Sequence, residues 1–512
     1  MRFFNNAIIA ISTIMVLMFT SCLKEEPPFL SEESAYENIG NARTTLGGIY
    51  QSVAQYNYFG NDFLYLTYGN SGFFVSGIHN SNHAQDNLFL CSLKPQPSAT
   101  YTENTWDRIY QAINRANSFI AYVPEVTDSV NNRDMAEWND LLGEAYFIRA
   151  FSFFNLVRLW GEVPLRLEPT NMNNIHMAKS STVDIYNQIL SDVAMAKRLM
   201  YPVGKQRMGY PASEAASMLE AKVYMQMATT DDDVPQTGAN YWQKAYDAAK
   251  EVYGKYSLVN DYKLLWDEEK GNNTSEAIFE LQFNEVAHSN FVRLFTASKA
   301  IKGNTWGRLR MNAELIDSHM AAYPNDSIRL TGTYVTGYVK QNNGKYFKLY
   351  PETTKRNKFA NAFNYLYKYW EKDVNKKTAY NNQNFMVYRY ADLLLMLAEI
   401  SNELQNGEEM TYLKEVLDRV GVSPRPEYSN GQSEFRKAIM YEYRYELLGE
   451  GHDWFNNRRR GYDWFKNEVI DPHNNYALFD SNVDVTLETS KDIVMHVPIP
   501  SSEINRNDLI SN

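Results

Sequence analysis

Glu144-Ala-Tyr-Phe-Ile-Arg-Ala-Phe-Ser-Phe-Phe-Asn-Leu-Val-Arg-Leu-Trp160 decides how this chain folds. Phe147, Phe151 and Phe154 recur at helical spacing along one face. Tyr146, Ala150, Phe153, Val157 and Trp160 fill the neighbouring one. A helix apolar over so much of its circumference has to be surrounded by other helices. Gly161 and Pro164 then end it.

Working outward, Ala42, Leu46, Ile49 and Val53 repeat at helical spacing, and so do Trp106, Ile109, Tyr110, Ile113, Ala116 and Ile120. Ser181 with Asp184 starts a helix in the manner of a capping box. Pro211 opens a helix rich in alanine, whose small residues allow close approach of a partner over Tyr241 to Tyr253. A comparable pair covers Arg389–Glu403 and Met410–Val420. These units resemble degenerate tetratricopeptide repeats, although no strict 34-residue period is visible. Two stretches break the rhythm, about 57–103 and 255–385, rich in Gly, Asn and aromatic residues and long enough to carry function. The helical scaffold is then expected at about 35–56, 104–254 and 386–460.

The N-terminus reads as an export signal. Arg2 precedes a charge-free run, Ala7 to Met18, and small residues lead to Cys22 in Phe19-Thr-Ser-Cys. The run is too short to span a bilayer as a helix. The pattern resembles a bacterial lipobox with Phe19 in place of leucine, implying cleavage after residue 21 and lipidation of Cys22. Residues 22–34 then form a tether, and 35–512 the folded domain. Removing residues 1–21 deletes Arg2 and moves the net charge from −11 to −12. Such a chain has no electrostatic footprint for nucleic acid, and its membrane attachment rests on lipid. With Cys22 lipidated, Cys91 stands alone and no intrachain disulfide forms.

Several segments in this order resemble the SusD/RagB family of surface nutrient-binding lipoproteins of Bacteroidetes. The strongest is Ile148 to Leu165. Trp106-Asp-Arg-Ile-Tyr-Gln-Ala-Ile-Asn-Arg-Ala-Asn117 matches the preceding helix, and Tyr388 to Glu403 a second hallmark. Val497-Pro-Ile-Pro-Ser-Ser-Glu-Ile504 matches the C-terminus. One departure lies at Glu450-Gly451, where His452 stands before Asp453 and the expected arginine is missing. Glu442, Arg444 and Glu446 remain and read as a structural charge network. The resemblance implies a mainly helical fold with tetratricopeptide-type pairs and a few short strands. It also implies a lipid-anchored place on the outer membrane, and a SusC-like TonB-dependent transporter as partner. The ligand it implies is an oligosaccharide, with a peptide as the variant within the family.

Candidate sites follow from residue type and setting. Trp306 and Arg308 lie in Lys302-Gly-Asn-Thr-Trp-Gly-Arg-Leu-Arg310, among glycines and arginines and not on an apolar face. Tyr65, Tyr68, Phe73, Phe74 and Asn80 lie in the other irregular stretch. Rings stack on the C–H faces of sugars while Asn and Arg bond hydroxyls, so these residues are expected to share one solvent-facing patch. His79 and His83 with Asp86 lack the glutamate of a zinc protease helix and read as polar loop residues. Asp231–Asp233 lacks the spacing of a calcium loop, and Arg458–Arg460 is expected to pair with nearby carboxylates. No metal and no cofactor are expected. No phosphate loop or nucleophile elbow is present, and the resemblance implies binding in place of catalysis. A helical glycoside hydrolase or lyase is the alternative, and it would need two convergent carboxylates.

Overall fold

The computed structural model describes residues 35–77, 84–127, 135–229, 240–296, 305–340, 343–350, 364–370, 378, 380–476 and 486–510. Cys22 and the tether, Asn80, His79, His83 and Asp231–Asp233 lie outside them.

The helices are α1 (Ile39–Ala54), α2 (Asp62–Gly69), α3 (Ala84–Cys91), α4 (Thr100–Thr127), α5 (Met135–Trp160), α6 (Thr182–Leu199), α7 (Ser213–Thr229) and α8 (Tyr241–Lys250). After a stretch carrying most of the strands come α9 (Tyr390–Leu404), α10 (Glu409–Val420) and α11 (Gln432–Leu447), with shorter helices between and beyond. Each of α4 to α8 packs on the next, α8 reaches α9, and α9 packs on both α10 and α11.

Helix α5 is the axis. From Phe147 to Trp160 every residue is buried, and Phe151 is 1% exposed between Phe147, Phe279 and Tyr388. Its polar residues are satisfied inside. Arg149 donates from Nε and Nη2 to the two carboxylate oxygens of Asp192 at 2.8 and 2.7 Å, and from Nη1 to Asn117 Oδ1 at 2.9 Å. The C-terminal segment docks on the end of this helix: Val497 N donates to Leu159 O at 2.8 Å, and Trp160 Nε1 to Pro498 O at 3.0 Å. Gly161, at φ +72°, terminates the helix in the left-handed conformation that suits glycine. Ser181 Oγ accepts from Asp184 N at 3.1 Å, the cap its sequence predicts.

The strands are short and form two-stranded antiparallel ribbons: β1 (Phe74–Ser76) with β3 (Leu309–Met311), β2 (Ala277–Leu281) with β8 (Phe385–Arg389), β4 (Tyr334–Val335) with β7 (Tyr365–Leu366), and β5 (Gly337–Val339) with β6 (Tyr346–Lys348). Pairing Ala277 with Arg389 places Glu276 beside that arginine. A buried ion network follows. Arg389 donates to Glu276, Glu446 and Glu450, Arg419 to Glu276 and Glu446, and Arg329 to Asp326 and Glu442, while Lys368 donates to Glu450. The network expected around Glu442 and Glu446 is therefore present, but Arg444 is not its cation. Arg444 lies over the Phe73 ring at 4.4 Å and donates to Glu468 O at 3.3 Å. Among Arg458–Arg460, Arg459 and Arg460 pair with Glu399, whereas Arg458 bonds the carbonyls of Met495 and Arg158.

Residues 57–103 differ from the irregular stretch expected. They hold α2 and α3, and every residue of α2 is buried. Gly69 and the asparagines that flank α2 serve as packing residues, not as loop signals. A Cβ on Gly69 would meet the Leu90 side chain at 2.5 Å, and Asn61 and Asn70 are buried.

Candidate functional site

Gln55 ends α1 with an extended backbone, and Tyr56–Gly60 form a single π turn before α2. Gly60 is required there, because a Cβ would sit 2.8 Å from Gln55 O. The turn buries Tyr58, whose hydroxyl accepts from Asn155 Nδ2 at 2.7 Å, and leaves Tyr56 on the surface at 39% exposure. Gly60 O accepts from Phe291 N at 2.9 Å, which brings a second ring beside the first. The rings of Tyr56 and Phe291 meet edge to face at 5.4 Å.

Buried Arg293 fixes the next member. It donates to Tyr380 O at 3.0 Å, and Asn381 Nδ2 donates to Asn290 O at 2.7 Å. Tyr380 is thereby held 6.1 Å from Phe291 with 54% of its surface exposed.

From the other side, Trp306 N donates to Leu294 O at 2.6 Å, and Arg308 O accepts from Gly77 N at 2.6 Å and from Asn87 Nδ2 at 3.0 Å. A Cβ on Gly77 would collide with Gly307 O, so the two segments approach only through glycine. The half-buried Trp306 lies 6.5 Å from Tyr56. The Arg308 guanidinium sits 4.7 Å over its ring and 5.7 Å over Tyr65. The result is a line of rings, Trp306, Tyr56, Phe291 and Tyr380, bordered by Arg308.

Asp62 completes the border. Its two oxygens accept from Asn61 Nδ2 and Asn104 Nδ2, both at 2.7 Å. Burial raises its pKa against those hydrogen bonds and Arg308. Burial also pushes the Tyr56 hydroxyl up to about 12, helped by Asp62 and opposed by Arg308. That phenol stays protonated at neutral pH and can donate to a ligand oxygen. Flat rings beside a guanidinium, a phenol and amides suit a polyhydroxyl ligand with apolar faces.

The two irregular segments therefore converge, but not with all the residues expected. Trp306 and Arg308 lie at this surface. Tyr65 is 4% exposed; it supports Arg308 from beneath and donates its hydroxyl to Asn87 Oδ1. Tyr68, Phe73 and Phe74 are core residues. Tyr68 stacks on Phe74 at 5.3 Å and donates to Gly449 O, and Phe73 lies under Arg444. The helix turns Tyr68 inward, the ribbon turns Phe74 inward, and the bend before β1 turns Phe73 inward, which corrects the expectation of a solvent-facing position. Tyr56, Phe291 and Tyr380 were not singled out from sequence. The signal that picked Trp306, glycines and arginines around a ring, is missing from them; the usable one was a ring beside asparagine, as in Asn290-Phe291 and Tyr380-Asn381. Among the described residues no group of three His, Cys, Asp or Glu is placed to hold a metal. Asp86 offers its backbone oxygen to the Tyr101 hydroxyl at 3.2 Å. No described helix is long and apolar enough to cross a membrane.

Comparison with known proteins identifies the fold. Residues 225–512 match the model of the SusD family, and residues 37–225 match a model described as starch-binding associating with outer membrane. The SusD-like protein P25 of Formosa agariphila is 23% identical over 97% of both chains. A crystal structure of a SusD homolog from Bacteroides thetaiotaomicron superposes with a TM-score of 0.76 at 19% identity, covering 94% of this chain and 97% of that one. A laminarin binding SusD-like protein superposes with a TM-score of 0.70 at 22% identity, covering 92% and 98%.

Proposed function

The chain belongs to the SusD family, and on that premise we propose that it captures an oligosaccharide on the surface formed by Trp306, Tyr56, Phe291 and Tyr380. It then presents the sugar to a SusC-like TonB-dependent transporter of the outer membrane. The observation that carries the reading is the line of rings left half-buried or exposed in a protein that buries most of its aromatics, with Arg308 and Asp62 beside them. A similar fold in a laminarin binding protein supports a glycan as ligand class. Action by binding, without bond cleavage, fits a border carboxylate whose two oxygens are both engaged by amides. Lipidation at Cys22 would hold the protein at the membrane facing outward, and Cys22→Ala would release it.

Affinity electrophoresis against laminarin, xyloglucan, amylopectin and a β-mannan, with a peptide mixture as control, tests the reading. Trp306→Ala and Tyr56→Ala should each weaken retention of the bound glycan about tenfold, near 1.4 kcal/mol, and leave the melting temperature unchanged. Retention equal to that of the parent in both variants would refute the site, and selective binding of peptides would refute the ligand class.

A further inference from the structure

A second concavity, sharing no residue with the ring surface, lies where α6, α8 and β2 meet. It encloses about 560 Å³, within the range of small-molecule sites, about 300–1,000 Å³. Its walls are the turn 202–211 after α6, the turn 254–257 after α8, and the turn 271–275 leading into β2.

The cleft is preformed. Gly204, Gly209 and Gly254 at its rim adopt φ of +86°, +82° and +79°, and Asn273 adopts +52°. Asn273 is tied down on both sides: its N–H donates to Glu280 Oε2 at 2.7 Å, and its side-chain amide pairs reciprocally with Gln282 at 3.1 and 3.0 Å. Ser257 N donates to Ser275 O at 3.1 Å, joining two of the turns. A concavity whose rim is hydrogen-bonded across its turns requires little ordering when a ligand enters.

Its charged side chains are engaged. Lys255 pairs with Glu214 at 2.7 Å, Arg207 behind it pairs with Glu144, and buried Glu280 accepts from Asn384 Nδ2 at 3.0 Å. Ser275 Oγ donates to Ser257 O at 3.3 Å and the Gln282 amide is held by Asn273 and Asn384, so the polar surface turned to a ligand is that of Gln206 and Ser257, together with the rings of Tyr210 and Tyr256. Tyr210 is fixed by Arg207 at 3.8 Å over its ring and by an edge contact to Tyr50 at 5.2 Å. At the mouth Met208 is 92% exposed, an adaptable apolar surface that lacks cover.

We infer that this cleft is a second glycan-binding site, taking a neutral segment of one to a few sugar residues. Neutral polar groups with the rings of Tyr210 and Tyr256 match a polyhydroxyl ligand, and the two cations beside the cleft, Lys255 and Arg207, are paired and not offered to a phosphate or a carboxylate. The ligand class rests on the function proposed above, whereas the existence of the cleft does not. Two separated sites on one protein retain a polysaccharide better than either alone, because the second contact is made at high effective concentration.

The test uses the full mature chain on the same polysaccharide gels. Ser257→Trp places a bulky ring at an exposed rim position, and Met208→Ala removes the exposed side chain at the mouth as a milder second variant. Each should reduce polymer retention about threefold with an unchanged melting temperature, and Ser257→Trp should abolish the retention left in the Tyr56→Ala/Trp306→Ala protein. Retention unaffected by both cleft variants overturns the proposal while leaving the ring surface standing. Loss in the cleft variants with none in the ring variants supports the cleft and removes the ring surface. Absence of retention on every polysaccharide rejects both.

Discussion

Two arginine–aromatic stacks in this protein look alike and do different things. Arg444 lies 4.4 Å over Phe73, 8% exposed, in the interior. Arg308 lies 4.7 Å over the half-buried Trp306, at the surface. The interior pair seals a helix against a ribbon. The surface pair leaves a ring face and a guanidinium beside Tyr56 and Asp62. Composition does not distinguish them; the covering layer does. The same contrast runs through the molecule, with charge concentrated inside around Arg389 and aromatic surface held outside around Tyr56.

The inner side of that contrast is broken most severely at Arg389. Arg389→Ala strands Glu276, Glu446 and Glu450 without their shared guanidinium. It should cost about 3–5 kcal/mol, the range for removing one partner of a buried ion pair, read as a shift in the urea midpoint. A loss below about 1 kcal/mol would mean that Arg419 and Lys368 suffice. Phe151→Ala probes the apolar half of the same interior and should cost about 3–4 kcal/mol, because a buried phenyl leaves a cavity between rigid neighbours.

Acid gives a graded version. His452 is pushed down to about 4 by burial, against Asp392 and with Lys222. The folded protein keeps it neutral while the unfolded chain binds a proton near 6.5, so stability falls as pH drops from 6.5 toward 4. Burial alone would raise Glu399, but Arg459 and Arg460 hold it down to about 2. Its contribution is present above 4.5 and is lost between 4.5 and 2. Burial raises Asp453 to about 7, and this acts in the opposite direction. The informative quantity is therefore a difference: His452→Gln should flatten the fall in melting temperature between pH 6.5 and 4 relative to the parent. Parallel curves would show that His452 is protonated in the fold.

The two stacks themselves are separated by a paired measurement. Arg444→Ala should destabilise by about 2 kcal/mol through lost packing and cation–π contact and leave glycan affinity intact. Arg308→Ala should change stability by about 0.5 kcal/mol or less and weaken affinity several-fold. Equal behaviour in both assays would erase the distinction between them.

How much of this was legible follows from what each residue's neighbours say. The 147–160 stripe, the caps at Ser181 and Gly161, and the helix pairs at 213–250 and 390–420 were readable, because periodicity reports burial locally. Trp306 and Arg308 were readable as surface residues from the glycines and arginines around them. Tyr68, Phe73 and Phe74 were misread because glycine and asparagine have two uses. Gly69 allows Leu90 to approach closely, and nothing in Thr-Tyr-Gly-Asn states which use applies. The cation of the buried network could not be found locally either: Arg389 meets Glu276 only through the β2–β8 register, across more than a hundred residues.

The smallest expected effect tests the boundary between the two layers. Tyr65 belongs to the interior by burial and to the site by contact, lying beneath Arg308 and donating to Asn87, whose amide also donates to Arg308 O at 3.0 Å. Tyr65→Phe keeps the ring and leaves Asn87 Oδ1 short of a donor, which costs about 1 kcal/mol of stability. Asn87 retains its bonds to Ser76 Oγ and Arg308 O, so the backbone that carries Arg308 stays fixed. Affinity should fall no more than about twofold, some 0.4 kcal/mol. A loss as large as that of Arg308→Ala would mean that the ligand reaches the Tyr65 hydroxyl, and that the supporting layer is itself part of the binding surface.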